Sequence, residues 1–473
     1  MNRSYNCGVA IVGAGFSGTL VSAHLMRRAS STLAVALIER SARQLGRGVA
    51  YSTTMDCHLL NVPAGNMSAF PDDPEHFLRW AKAREKSVVN PPWVTGVTAT
   101  SFLPRRVYGD YLCGLLDEAE RGAKSGVRLE RKVDEAVGLT LIPQGVSLRL
   151  ASGDCLQTRR VVLALGNFPP GHPAVADPTF YQSPRYHGNP WASELLATLL
   201  MTESCLLIGS GLTMVDWAIA LNEAGYRGTI HVVSRRGLWP KAHRPADPLA
   251  FGIDPDASPP AVRAWLQRIR QYIRSLGCDW RAVIDALRPT NQKLWDALSP
   301  PEQQRFLRHV RPYWDCHRHR LAPVVAERLQ ALVESGQLVR HVGRIVACQE
   351  DGSGVEVMIR DRGLDRIRPL FVDAVVNCSG SQSDYRKLDS PLVSDILAQH
   401  LGCPDPLSLG FNVDPTGALL DGDGKPSPYL FTLGPPQKGI FWETTAVPEI
   451  RVQAARLAMV LVEHEEKQGL VAG

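Results

Sequence analysis

Gly13-Ala14-Gly15-Phe16-Ser17-Gly18 and Gly209-Ser210-Gly211-Leu212-Thr213-Met214 are two runs of one kind. Each directly follows an apolar stretch, Val9 to Val12 in the first case and Cys205 to Ile208 in the second. The chemistry that such a run serves is pyrophosphate binding. Its first glycine permits a tight turn, its second lets the backbone approach a phosphate, and its third allows a helix to pack closely on a strand. The helix that follows offers free N–H groups and its positive dipole end to the anion. In the second run Met214 stands at the third glycine position. Its helix is therefore expected farther from the strand, with Gly209 and Gly211 keeping the phosphate function.

The two runs differ in the charge that follows them. From Gly13 to Glu39 and from Gly209 to Arg235 the spacing is the same 26 positions, so an acid in one unit is matched by an arginine in the other. A carboxylate at the end of the second strand accepts hydrogen bonds from ribose hydroxyls but repels a 2′-phosphate. Ser234, Arg235 and Arg236 can hydrogen-bond and neutralise one. NADPH is thus expected at the second site, on Gly209, Gly211, Leu212, Thr213, Ser234, Arg235 and Arg236. The first site, on Gly13, Gly15, Phe16, Ser17, Gly18, Glu39 and Arg40, is expected to take FAD. Two such sites in one chain imply electron transfer from a nicotinamide to a flavin.

These residues need a frame of alternating strands and helices. Val9 to Val12, a helix to about Ser30, and Leu33 to Glu39 read as a βαβ unit. Cys205 to Ile208, a helix to about Ala224, and Thr229 to Val233 repeat it. Each unit is followed later by short strands and an apolar strand ending in glycine: Gly126 to Leu150 then Val161 to Gly166, and Gly336 to Ile359 then Ala374 to Gly380. Insertions fall at Ala42 to Tyr111 and Leu238 to about Pro323, the second reading as helical. A last strand, Tyr429 to Leu433, runs into Gly434, a loop, and a helix starting between Thr445 and Pro448, where proline suits a first turn. The positive end of that helix can face a flavin. The expected fold is α/β with two Rossmann-like dinucleotide-binding domains and a helical insertion at 238–323. The expected division is 1–185 for the first part of the FAD domain, 186–380 for the NADPH domain, and 381–473 for a segment returning to the FAD domain.

Composition narrows the function classes. The 473 residues exceed what a single core holds, 44% are apolar, and 52 Lys and Arg stand against 47 Asp and Glu, a net charge of +5 spread along the chain. That balance suits small anionic ligands, and no nucleic-acid-binding signature accompanies it. No apolar run approaches the roughly 18 residues that span a bilayer, and the N-terminal apolar stretch runs straight into glycines, so a cytoplasmic protein is expected. The ten cysteines include no CxxC pair. A disulfide reductase would need that dithiol. Nothing in the sequence calls for a metal.

The chain resembles the two-dinucleotide-binding-domain flavoproteins, and within them the flavin-containing and N-hydroxylating monooxygenases. It is most similar to a bacterial FAD/NAD(P)-binding family of mostly unassigned function. The marks are GAGFSGTL from Gly13, GVAYST from Gly48, HLLNVPAGNMSAFPDDPEHFLRW from His58, FLPRRVYGDYL from Phe102, RPYWDCHRHRLAP from Arg311 and WETTAVPEIR from Trp442. The resemblance implies that Asn61 lies near the flavin ring, that Val133 borders the adenine side of FAD, and that Gly166 and Gly380 close the two sites. In Tyr186-His187-Gly188-Asn189-Pro190-Trp191 the histidine precedes the glycine, unlike the linker of flavin monooxygenases.

No nucleophile and base pair stands out. Arg311 to Arg320 gathers Arg311, His317, Arg318, His319 and Arg320 beside Tyr313 and Trp314. It reads either as a clamp for an anionic substrate or nicotinamide phosphates, or as the charged face of a helix. His58 reads more readily as a structural histidine. Asn61, His58 and Arg320 are the candidates for a catalytic role. The expected activity is that of an NADPH-dependent FAD monooxygenase, using O2 to oxygenate a nitrogen or sulfur of a small polar substrate, anionic ones included. Such chemistry asks for a dry flavin face more than for an acid or base. The alternatives are an NADPH-dependent reductase of quinones or other acceptors, and a non-enzymatic redox-sensing or binding protein.

Overall fold

The computed structural model describes residues 6–85, 96–256 and 260–472. The chain forms two compact units, one made of 1–56, 62–168 and 383–473, the other of 57–61 and 169–382.

In the first unit β1 (Cys7–Val12) is buried along its whole length, as a continuous apolar run must be when a parallel sheet is covered on both faces. It leads into helix α1 (Phe16–Arg28), whose last turn carries Arg27 and Arg28 at the negative end of the helix dipole. The chain continues through β2 (Leu33–Glu39), helix α2 (Arg105–Arg121), β3 (Val127–Val133), β4 (Ala136–Ile142), β5 (Gly145–Leu150) and β6 (Cys155–Leu163). Strand β1 pairs in parallel with β2 on one side and with β6 on the other. The chain therefore reverses its direction of travel across the sheet at β1, and such a switch point opens a crevice at the carboxyl ends of the strands. Strands β4, β5 and β6 form an antiparallel meander.

The second unit repeats the plan. It comprises β7 (Tyr186–His187), β8 (Ser204–Ile208), helix α3 (Leu212–Glu223), β9 (Thr229–Ser234), β10 (Leu338–Glu350), β11 (Val355–Asp361), β12 (Ile367–Val372) and β13 (Ala374–Asn377). The sheet order is β12-β11-β10-β9-β8-β13-β7, so β8 stands at the switch point as β1 does. Strand β10 runs parallel to β9 over its first five residues and antiparallel to β11 over the rest. The 238–323 insertion holds helices at Val262–Leu276, Trp280–Leu287, Asn291–Ala297, Pro300–Arg305 and Arg311–Arg318, with a π-turn at Phe306–Val310.

The C-terminal segment contributes β14 (Ala418–Leu420) and β15 (Pro426–Thr432), and β15 pairs in parallel with β6 of the first sheet. Helix α4 (Val447–Ala472) follows, with Pro448 in its first turn. The join between units falls at 168, not at 185. Residues 169–185 are tied to the second unit, where Ala176 donates to Val346 O at 3.1 Å, Val375 to Arg185 O at 2.8 Å and Gln382 to Pro169 O at 3.1 Å. A two-residue β7 is too short to show such a tie in the sequence. No described helix is long and apolar enough to cross a membrane.

Candidate dinucleotide sites

The first glycine run lies where β1 ends. Gly13 has φ +99°, and a Cβ on it would fall 2.4 Å from the Ala164 carbonyl oxygen, just past β6. A Cβ on Gly18 would fall 1.9 Å from Gly13 O, so only glycine allows α1 to start this close to the turn. Gly48 of the GVAYST mark is in left-handed backbone, φ +61°, with its Cβ position 2.8 Å from the Gly15 Cα. Glu39 ends β2, buried, and accepts from Ala14 N at 3.0 Å through Oε2 and from Ser41 N at 3.3 Å through Oε1. Each carboxylate oxygen accepts two hydrogen bonds, so a second acceptor direction on each is left for a ribose.

Val133 is the parallel partner of Glu39. Its side chain, at the carboxyl end of β3, is 57% exposed. Arg40 is exposed and reaches Glu135 at 3.9 Å. Gly166 stands just past β6 with φ +64° and open space around it. Gly434, φ +73°, has its Cβ position 2.9 Å from Ser17 Oγ, which brings the loop before α4 against the start of α1. The residue that orders this loop is Thr444, buried, whose hydroxyl donates to Gly434 O at 2.9 Å. Its neighbour Thr445, singled out from the sequence, is exposed.

The second run has the same pose. Gly209 has φ +103° and its Cβ would fall 2.5 Å from Cys378 O, while Gly211 faces open space, as does Gly380 at φ +97°. Leu212 and Thr213 open α3, and Met214 in the third glycine position is fully buried. Asn377, fully buried at the end of β13, fixes the facing loop. Its side-chain carbonyl accepts from Ser379 N at 3.2 Å and Ser379 Oγ at 2.6 Å, and its amide donates to Tyr186 Oη at 3.1 Å.

Beyond β9 lies an open basin of about 760 Å³. It is lined by Arg235 and Arg236 and, unforeseen from the sequence, by Arg308, Arg344, Arg360 and Arg362. Burial and the nearby Arg344, Arg236 and Arg311 push the Arg235 pKa down from its usual value, a repulsion that a bound phosphate dianion would relieve. Arg236 donates to the Arg308 carbonyl at 3.1 Å, and the π-turn thereby places Arg308 at the basin wall. Ser234 Oγ accepts from Gly237 N at 3.1 Å.

Arg320 and His317 are held by contacts within the insertion. Arg320 is buried, ion-paired to Asp285, and donates to His317 O at 3.0 Å. His317 Nδ1 lies 2.7 Å from Tyr313 O and its ring meets Trp280 edge-on. The clamp reading of 311–320 therefore loses both to the internal structure of the insertion. His58 is buried and packs edge-on against Trp191 at 6.2 Å. Asn61 belongs to the second unit, its backbone carbonyl 3.0 Å from His243 Nε2.

Fold and turns together define a chain with two Rossmann-like dinucleotide-binding units, the architecture of the two-dinucleotide-binding-domain flavoproteins. Residues 10–168 match the family described as FAD-NAD(P)-binding. No curated protein matches the sequence. Among solved structures, the ornithine hydroxylase PvdA of Pseudomonas aeruginosa is similar at 16% identity and TM-score 0.63, covering 97% of this chain and 99% of that one. L-lysine 6-monooxygenase of Pseudomonas syringae is similar at 17% identity and TM-score 0.64 over the same shares. So is the Kutzneria sp. 744 ornithine N-hydroxylase KtzI, at 14% identity and TM-score 0.64 over the same shares, in a structure with reduced FAD, NADP+ and L-ornithine. At these identities the likeness shows the fold.

Proposed function

We propose that this chain is an NADPH-dependent FAD monooxygenase that N-hydroxylates the primary amine of a small amino compound. The observation that carries the reading is the pair of glycine turns, alike at their first two glycines, whose following strands end in opposite charge, Glu39 in one and the Arg235 basin in the other. The fit to the cofactors is specific in both. Gly13, Gly15 and Gly18 leave the α1 N-terminus accessible to a pyrophosphate, Glu39 faces the ribose position, and Val133 offers the adenine an apolar surface. Gly209 and Gly211 do the same for NADPH, with Arg235 and Arg236 at the 2′-phosphate. Bound together, the two cofactors supply electrons and activate dioxygen, one atom going to the substrate nitrogen and the other leaving as water. The residues of the chain bind, orient and exclude water.

The neighbours that act on ornithine and lysine favour an amine as the acceptor, and the absence of any CxxC disfavours dithiol chemistry. The test is to supply the purified, FAD-loaded chain with NADPH, O2 and a panel of amines including ornithine, lysine and cadaverine. Amine-dependent formation of a hydroxylamine is expected. Stoichiometric hydrogen peroxide with every amine and no oxygenated product would overturn the reading in favour of an NADPH-dependent reductase.

A further inference from the structure

The meander β10-β11-β12 has one face in the core and one in solvent. Val355, Val357 and Ile359 point inward and are fully buried. Directly opposed residues of an antiparallel pair share a face, so the register puts three rows on the outer side. At one end Arg344, Arg360 and Ile367 stand abreast. In the middle come Ala347, Met358 and Pro369, and at the other end Gln349, Glu356 and Phe371. Phe371 is 60% exposed and Ile367 46% exposed. The arginines oppose each other, like charge to like, which destabilises a strand pair. Among the described residues no carboxylate pairs with Arg344 or Arg360, and no cation pairs with Glu356.

We propose that this face docks on the same face of a second copy of the chain. A two-fold axis lying in the interface along the middle row, at right angles to the strands, exchanges the two end rows. It sets Arg360 against the Glu356 of the other copy, Arg344 against Gln349, and Ile367 against Phe371, while Met358 and Pro369 meet their own copies. Every position finds a chemical complement, Ala347 meeting its own copy as well: two ion pairs, two hydrogen-bonding pairs and five apolar contacts. Sheets packed face to face in this way align within about 30°. The patch is small, so the dimer is expected to be reversible and weakened by salt. Arg344 and Arg360 also line the Arg235 basin, so the proposal shares that wall with the NADPH reading, and its test reads association of the chain without any nicotinamide.

Sedimentation velocity of the full chain over a range of concentrations tests it. A mass rising from 51.9 kDa toward twice that value is expected. Glu356→Arg and, separately, Phe371→Ser should raise the dissociation constant about tenfold or more, with the far-ultraviolet circular dichroism spectrum unchanged. Adding Arg360→Glu to Glu356→Arg should restore association. A single species of 51.9 kDa at every concentration overturns the proposal. Association unaffected by both single variants, or not recovered in the charge swap, does so as well.

Discussion

Gly209 is packed so tightly on Cys378 that a Cβ would lie 2.5 Å from the Cys378 carbonyl oxygen, in backbone at φ +103°. Left-handed backbone alone costs a non-glycine residue on the order of 1–3 kcal/mol, and the clash adds to it. Gly209→Ala should therefore lower the melting temperature and raise the KM for NADPH. Gly211, at φ −87° with nothing within 4 Å of its Cβ position, should behave differently. Gly211→Ala is expected to keep the melting temperature and raise the KM for NADPH, because its methyl would meet only the pyrophosphate. Equal losses of stability in both variants would contradict this division.

Arg235→Ala should weaken NADPH by about tenfold or more, the scale of one charge-assisted hydrogen bond, and leave NADH nearly unchanged. The check is the ratio of kcat/KM for the two nicotinamides. An unchanged ratio would move the 2′-phosphate away from the basin.

Glu465 is buried between Arg159 and Arg160, on α4, and Arg160 is itself buried. Burial pushes the Arg160 pKa down while Glu465 raises it. Removing one member of a buried pair strands the other charge and typically costs about 3–5 kcal/mol. Glu465→Leu is expected to lower stability to urea by that order. A loss below about 1 kcal/mol, the range of exposed pairs, would show that water reaches the pair.

His24, on α1, is buried against Phe70, and burial, then Arg28 and Arg27, push its pKa down to about 4. The folded chain keeps it neutral while the unfolded chain takes up a proton near pH 6.5, the usual value. Its contribution is complete above pH 6.5 and is lost as the pH falls toward 4, a change of up to about 3 kcal/mol across that interval. His24→Phe should flatten the stability profile between pH 6.5 and 4. Urea unfolding at several pH values measures the slope, and an unaltered slope would rule His24 out.

Both βαβ units were legible in the sequence because local signals specify them: continuous apolar runs for central strands, and glycines where the backbone must turn with positive φ. That Glu39 ends one strand and Arg235 directly follows another is legible from spacing alone. The wider arginine basin is not, since Arg308, Arg344, Arg360 and Arg362 come from the insertion, a strand and a hairpin that only tertiary folding brings to β9. Arg320 and His317 misled for the converse reason. Charge and aromatic neighbours are visible in a sequence, but whether Asp285 and Trp280 already occupy them is not. Thr444 and Thr445 differ by one position, finer than any periodicity resolves.

The pairing of β15 with β6 joins segments far apart in the chain, as when the Thr432 hydroxyl donates to Leu163 O across 269 positions. During synthesis β6 leaves the ribosome long before β15, by about 15–50 s at typical elongation rates. Through that interval the nascent first sheet carries an open edge of the kind that recruits foreign strands. The whole of 169–382 emerges in the meantime and has its own sheet complete. The order of assembly is thus inner unit before outer, and chaperone dependence should centre on the waiting edge of β6.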